Sequence, residues 1–179
     1  EAARIAEAFE EKELQSPGSS AREQFQQGET LFLTRDYAGA LTLFSEFLEA
    51  FPKHDLAAKA TYRMGECYLR LNEEKKALEL FTDFEKTYPR SPYIPFAKYH
   101  LAENLFQRNY YDAASTAFFE FIMDYSNHPL ADDAQYRIGE AMFEQKRLQQ
   151  AATEFQKVID VYPTSDFVDD ASYKMGQSL

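Results

Sequence analysis

Residues 62–89 read YRMGECYLRLNEEKKALELFTDFEKTYP, and this stretch decides the fold because its landmarks recur every 37 residues. An aromatic residue closes each unit, and proline follows it in three of the four. Alanine, phenylalanine, aromatic and small residues each recur in one fixed phase. These columns are Phe51, Tyr88, Tyr125, Tyr162; Ala40, Ala77, Ala114, Ala151; Phe44, Phe81, Phe118, Phe155; Phe25, Tyr62, Tyr99, Tyr136, Tyr173; and Gly28, Gly65, Ala102, Gly139, Gly176. The period predicts a protein built from stacked repeats.

Each repeat is predicted to consist of two helices, roughly 56–71 and 73–88 in the second unit. Asn72 and its equivalent Asn109 stand at the joint, where a residue that tolerates the left-handed conformation can end a helix. A glycine or alanine in the small column would let a neighbouring backbone approach closely, and Met64, Phe81 and Phe118 are expected in the core. One helical hairpin cannot bury its own apolar face, so the hairpins must stack into a solenoid.

The repeat phase also predicts the organisation of the chain. The segment 1–20 is predicted to contain an amphipathic helix over residues 1–14, with Ile5 and Phe9 on one side. A flexible joint is predicted to follow from Ser16 to Ser20. Residues 21–179 form the array of four full units and one terminal helix. Nine helices are expected in the array, beginning near Ala21, Asp36, Asp55, Glu73, Pro92, Tyr110, Pro129, Arg147 and Asp166.

Polar residues at the predicted helix starts fit a capping role. Ser91-Pro92 and His128-Pro129 resemble an N-cap followed by a proline in the first turn. His54 occupies the place equivalent to His128, which indicates capping or loop packing rather than a metal site. Asp132-Asp133 and Asp169-Asp170 are expected in first turns, where the helix dipole favours negative charge.

Composition excludes several function classes. The net charge of −11 disfavours nucleic acid and anionic lipid as partners. No apolar run approaches the ~20 residues of a membrane span. The single Cys67 lies within a helical pattern and is expected to be a packed thiol. No catalytic, phosphate-binding or metal-ligand motif occurs, so no cofactor, metal or catalytic residue is predicted. An enzyme would have to use two first-helix glutamates as acid and base.

The second unit carries the pattern of a known repeat. Tyr62, Met64-Gly65, Tyr68, Ala77, Phe81 and Pro89 resemble the tetratricopeptide repeat, extended by three residues in the loop after the proline. Thr61, Lys98, Gln135 and Ser172 stand where that repeat often carries a large aromatic residue. The resemblance covers residues 21–179 and implies an all-α tetratricopeptide-like α-solenoid, a right-handed superhelix of helix hairpins.

A narrower resemblance concerns the segments around Tyr88-Pro89-Arg90-Ser91-Pro92 and Tyr162-Pro163-Thr164-Ser165. They are similar to two groups of bacterial envelope proteins, the Tol-Pal-associated YbgF type and the outer-membrane assembly lipoproteins of the BamD type. The even spacing favours the first group. Either resemblance implies a periplasmic adaptor, sometimes lipid-anchored upstream of the repeats, that binds envelope or outer-membrane assembly partners. The alternative is a cytoplasmic adaptor of the co-chaperone type.

The resemblance also implies where partners bind, because first helices line the concave groove of tetratricopeptide arrays. Three columns fall on this face at spacings of four and three residues. Aromatic, acidic and apolar side chains would form three stripes, suited to a protein or peptide segment with apolar anchors and basic residues. The candidate binding residues are Phe25, Tyr62, Tyr99 and Tyr136; Glu29, Glu66, Glu103 and Glu140; and Leu69, Phe106 and Phe143. The alternative interpretation is that the tyrosines pack between repeats and the glutamates pair with Arg63 and Arg137 along their own helices.

Overall fold

The computed structural model describes residues 17–179, and over that range the protein has nine α-helices and no strand. The helix predicted over residues 1–14 lies outside the described residues. None of the described helices combines the length and apolarity needed to cross a membrane. The helices are α1 (Pro17–Leu33), α2 (Tyr37–Ala50), α3 (Ala57–Arg70), α4 (Glu74–Thr87), α5 (Ile94–Gln107), α6 (Tyr111–Asp124), α7 (Ala131–Glu144), α8 (Leu148–Val161) and α9 (Val168–Ser178).

The predicted helix starts agree with the structure to within two residues from α2 onward. The first helix differs, because α1 begins at Pro17 rather than near Ala21. The segment from Pro17 to Ser20, which the sequence analysis assigned to a flexible joint, is therefore helical. A proline suits the first turn of a helix because its missing N–H would have no partner there.

Left-handed residues end the first helix of each hairpin. Asn72 and Asn109 have φ values of 60° and 63°, as predicted for the joint. Arg35 and Lys146 occupy the same repeat position and have φ values of 66° and 61°. The geometry of the joint is therefore conserved through the array even where the side chain is not asparagine.

The polar residues before the first helices close a turn and do not cap the helix, which corrects the prediction that Ser91 and His128 are N-caps. The N-cap residue of α7 is Leu130, which makes no side-chain cap bond. The hydroxyl of Ser91 accepts from the N–H of Tyr93 at 3.2 Å, and His128 Nδ1 accepts from the N–H of Leu130 at 3.2 Å. Pro92 and Pro129 stand in the turn before α5 and α7 rather than in the first turn of each helix. Each bond joins residues two positions apart and closes a turn directly before the helix. The helix therefore starts two residues later than predicted. The equivalent bonds of His54 and Ser165 complete the series.

The described chain forms two compact units, one ending at Tyr93 and the other comprising Ile94–Leu179. Within each unit, consecutive helices pack against one another. Phe81 and Phe118 are buried, as predicted, with 2% and 0% of their surface exposed. Met64 is only half-buried and packs at the margin of the core, which corrects the prediction that it is largely buried. Cys67 is buried, and burial raises the pKa of its thiol to about 12, so it is a packed and protonated group.

The small column has a specific packing role. A Cβ added at Gly28 or at Gly139 would stand 2.7 Å from the ring of Phe44 or of Phe155, respectively. The ring of the second helix therefore fills the place that the glycine leaves open. The expectation of a close backbone approach at this column is corrected to a close approach of a phenylalanine ring.

Candidate interaction surface on the first helices

The aromatic column of the predicted groove is mostly buried. Phe25, Tyr62, Tyr99 and Tyr136 expose 4–7% of their surface, whereas Tyr173 exposes 67%. The Tyr62 ring stacks on Tyr93 at a centroid distance of 5.2 Å, and Tyr99 packs on Phe118 at 5.5 Å. The rings from Phe25 to Tyr136 thus hold the two helices of a hairpin together, and they offer little contact surface.

The hydroxyl of one of these tyrosines links the first helices of two adjacent repeats. Tyr99 donates a hydrogen bond to Asp133 Oδ2 at 2.6 Å. Burial, and then this bond to an anion, raises the pKa of the Tyr99 phenol, so it stays protonated at any physiological pH. The bond joins α5 to α7, which are first helices of adjacent repeats.

In the first unit, the acidic column forms a ladder with basic residues of the next repeat. Glu29 on α1 accepts from Arg63 Nε and from Lys59 Nζ, both at 2.7 Å, and both donors lie on α3. Arg63 also donates to Glu66 Oε2 at 2.6 Å along its own helix. Burial raises the pKa of Glu29, but the hydrogen bonds from Arg63 and Lys59 outweigh burial and hold the pKa below its ordinary value.

The second unit has an equivalent set of ion pairs, but its distances are longer and fewer of its charged atoms form hydrogen bonds. Arg137 Nη1 donates to Glu140 Oε2 at 3.0 Å, while its Nε lies 3.3 Å from Glu103 and 3.5 Å from Asp133 without forming a hydrogen bond to either. Lys174 Nζ is 3.9 Å from Glu140 Oε1. Burial raises the pKa of Glu103 above its ordinary value, although Arg137 opposes this. The carboxylates here have fewer close donors than Glu29 has.

The apolar column lies beside the ladder and is covered in part by the same basic side chains. Leu69, Phe106 and Phe143 are half-buried, and so is Phe32, which holds the equivalent position in the first repeat. The Arg63 guanidinium stands 4.5 Å from the centre of the Phe32 ring, and Lys174 Nζ stands 4.8 Å from that of Phe143. Each such contact adds a cation–π attraction to the ion pairs.

The structure therefore brings the acidic and apolar columns together as predicted, and it adds partners that the sequence analysis missed. The sequence indicates that Arg63 and Arg137 can pair with glutamates of their own helices. It does not directly indicate their second partner, a glutamate 34 residues earlier in the chain. The signal was present, because 34 is the repeat period less the three residues that separate arginine from glutamate within one helix. First helices of adjacent repeats bring those positions side by side.

A separate cavity of about 460 Å³ lies beside the loop from Tyr88 to Tyr93 in the first unit. Its walls are mainly apolar and include Leu56 and Pro92, and Lys59 and Arg90 also line it. Tyr88 is fixed there by a 2.9 Å hydrogen bond between its hydroxyl and that of Thr61. This cavity is a second concave surface, and Lys59 in its wall also pairs with Glu29 of the acidic column.

Comparison with known families identifies the repeats. The family model described as an outer membrane lipoprotein, YfiO, matches residues 54–178, and a tetratricopeptide repeat model matches residues 24–54. The YfiO model corresponds to the BamD type rather than to the YbgF type that the even spacing favoured. No curated protein sequence matches the chain.

Solved structures of tetratricopeptide proteins share the fold. A tetratricopeptide repeat protein from Parabacteroides merdae superposes with a TM-score of 0.73 at 14% identity, covering 89% of this chain and 60% of that one. PilF from Pseudomonas aeruginosa gives 0.68 at 16% identity, covering 91% and 69%. The MamA protein gives 0.69 at 20% identity, covering 90% and 81%. The chain thus has an all-α tetratricopeptide fold of the α-solenoid class.

Proposed function

Because this chain belongs to the outer membrane lipoprotein family YfiO, we propose that it is a non-enzymatic scaffold of the bacterial cell envelope that binds a protein segment on its first helices. Tetratricopeptide proteins bind proteins or peptides. The family supports a periplasmic location and a role beside outer-membrane assembly partners. Fractionation of cells that express the natural full-length protein tests the location, and recovery in the cytoplasm would contradict it.

The observation that carries the binding proposal is the excess of carboxylate on α5 and α7. Glu103, Asp133 and Glu140 surround one arginine, and Glu103 Oε2 and Asp133 Oδ1 are buried without a hydrogen bond. The Glu103 and Glu140 side chains remain 19% and 18% exposed. A lysine or arginine of a partner would reach these exposed edges and supply the missing positive charge.

The adjacent apolar column supplies the second half of the recognition. Phe106 and Phe143 lie on the same helices as Glu103 and Glu140, three residues farther on and half-buried. An apolar residue of the partner would pack on these rings while its basic residue meets the carboxylates. The buried tyrosines support this surface from beneath, so the proposed contacts are made by the acidic and apolar columns.

A charge-matched pair of variants tests this proposal. The probe is a fluorescein-labelled extended peptide of alternating leucine and lysine, followed by fluorescence anisotropy at low and high salt. Glu103→Gln with Glu140→Gln should raise the Kd by roughly tenfold at low salt and by less at high salt, because salt screens such contacts. The control, Glu46→Gln with Glu49→Gln, makes the same charge change at exposed positions of α2.

Equal losses in the two double variants would show that the peptide responds only to net charge, and the proposed surface would be rejected. Unchanged binding in the first double variant would also reject it and would leave the Tyr88–Tyr93 cavity as the surface to examine. A thermal melt of each variant establishes that the comparison is made between folded proteins.

A further inference from the structure

Equivalent surface positions of the second helices can be compared from one repeat to the next. A residue that serves only the repeat fold should have the same character in every unit. On α6, Phe119 and Met123 break this rule, since they expose 55% and 68% of their surface. The equivalent pairs in the other units are polar: Ser45 and Glu49, Thr82 and Lys86, Gln156 and Asp160.

The packing of the hairpin does not account for this pair. Phe118 and Phe121, on the opposite side of the same helix, fill the core and are 0% and 1% exposed. Phe119 and Met123 are four residues apart, so they lie on one face and form one apolar patch. Large apolar residues placed together at the surface mark an interaction site more often than isolated ones do.

The charges around the patch indicate what kind of partner covers it. Glu120 and Asp124 directly follow Phe119 and Met123, and both are exposed. Asp124 has one cation nearby, Lys98 Nζ at 3.5 Å. An apolar pair flanked by carboxylates is complementary to a helix that carries apolar residues at spacings of three or four, with lysine or arginine beside them.

We infer that the exposed face of α6 is a docking site for a basic amphipathic helix of a partner protein. Phe119 supplies a rigid aromatic contact, and Met123 supplies an adaptable one, since methionine fits irregular apolar surfaces. This site lies on a second helix, whereas the proposed scaffold surface lies on first helices, so the two can be tested separately.

The test uses a 14-residue helical peptide with leucine on one face and lysine on the other, labelled with fluorescein. The variant Phe119→Ser with Met123→Glu installs the residues that the first repeat carries at these exposed positions, so the fold should persist. It adds a negative charge, and non-specific attraction of the peptide is therefore not reduced. We expect the Kd to rise at least tenfold in this variant. A peptide with glutamate in place of lysine should bind wild-type protein at least tenfold more weakly than the lysine peptide.

A site-specific readout comes from the methionine methyl groups. The chain has four methionines, Met64, Met123, Met142 and Met175. In ¹³C-methyl NMR spectra, the lysine peptide should shift the Met123 signal and leave that of Met64 in place. Absence of binding, equal affinity in the double variant, equal affinity for the glutamate peptide, or an unmoved Met123 signal at saturation would each overturn the inference. Failure of the extended peptide to bind the wild-type protein, with binding of the helical peptide intact, would reject the first-helix proposal alone.

Discussion

At the scale of single residues, the contact between a glycine and a phenylalanine is the repeating unit of the packing. Gly28, Gly65 and Gly139 each face the ring of the phenylalanine sixteen residues later. Ala102 takes the same place in the remaining unit and is fully buried. One methyl group is therefore tolerated where the neighbouring residues have adjusted to it, but the glycine units are packed without that space.

The first prediction compares two glycines of this column. Gly139→Ala should lower the free energy of unfolding by about 1–3 kcal/mol, because the new Cβ would stand 2.7 Å from the Phe155 ring. Gly176→Ala should be neutral or stabilise by up to about 1 kcal/mol, since nothing lies within 4 Å of its added Cβ and alanine favours a helix. Urea denaturation of both variants measures the difference. Equal effects at the two positions would show that the ring does not set the requirement for glycine.

At the scale of the helices, the sequence determines most boundaries because each unit repeats the same joint and the same turn before its first helix. Asn72 and Asn109 indicate the left-handed joint directly. Arg35 and Lys146 share it only by position, and no single-residue preference would reveal this. The repeat phase, and not the identity of the residue, carries the information.

The candidate surface was harder to predict than the helices. The spacing correctly placed Tyr99, Glu103 and Phe106 on one side of α5, but it did not show that the tyrosine lies deep enough to contact Phe118. The spacing of residues along a helix predicts which of them share a face, but it does not predict how deeply each side chain is buried. The ion pairs to the next repeat were missed for a related reason, because they depend on how adjacent first helices are aligned.

The second prediction concerns two glutamates of one column whose pKa values shift in opposite directions. The pKa of Glu29 is lowered on folding, so its ionised form stabilises the fold above the unfolded pKa of about 4.3, and this contribution is lost as the pH falls through the folded pKa. The pKa of Glu103 is raised by burial, so its ionised form costs stability, and that cost disappears as the pH falls through the raised pKa.

Neutral substitutions should therefore have different effects at pH 7. Glu29→Gln should lower the free energy of unfolding by about 1–3 kcal/mol, because Lys59 and Arg63 lose an ionised partner in a mostly buried site. Glu103→Gln should leave stability unchanged or raise it. Urea denaturation at pH 7 and pH 4 provides the measurement, and the Glu29 effect should shrink at the lower pH. A loss for Glu103→Gln as large as that for Glu29→Gln would contradict the assignment of the two sites.

At the scale of the whole molecule, the ladders are one part of a strongly acidic protein. The chain has 30 acidic and 19 basic residues. In the first unit, Glu29 and Glu66 share Arg63 and Lys59, whereas in the second unit Glu103, Asp133 and Glu140 share Arg137 and a more distant Lys174. The two units thus have the same fold but different electrostatic surfaces. A partner with basic residues would distinguish them without any change in backbone structure.

The repeat architecture also predicts how the molecule loses structure. Consecutive helices pack against one another within each unit, so a defect should propagate mainly to its neighbours. Phe44 and Phe155 occupy equivalent positions on α2 and α8, and both are fully buried. Replacing either with alanine should cost about 3–5 kcal/mol locally. The two variants therefore remove the same group from different parts of the chain.

Hydrogen exchange measured by mass spectrometry distinguishes local from global loss of structure. Phe155→Ala should increase exchange in α7, α8 and α9 and leave α1 and α2 protected, because opening of the damaged hairpin does not require opening of the first one. Phe44→Ala should give the reverse pattern. If both variants instead raise exchange to the same extent along the whole chain, the repeats unfold as one cooperative body. The coupling between neighbouring repeats would then outweigh the stability differences among them, and the two compact units would not unfold separately.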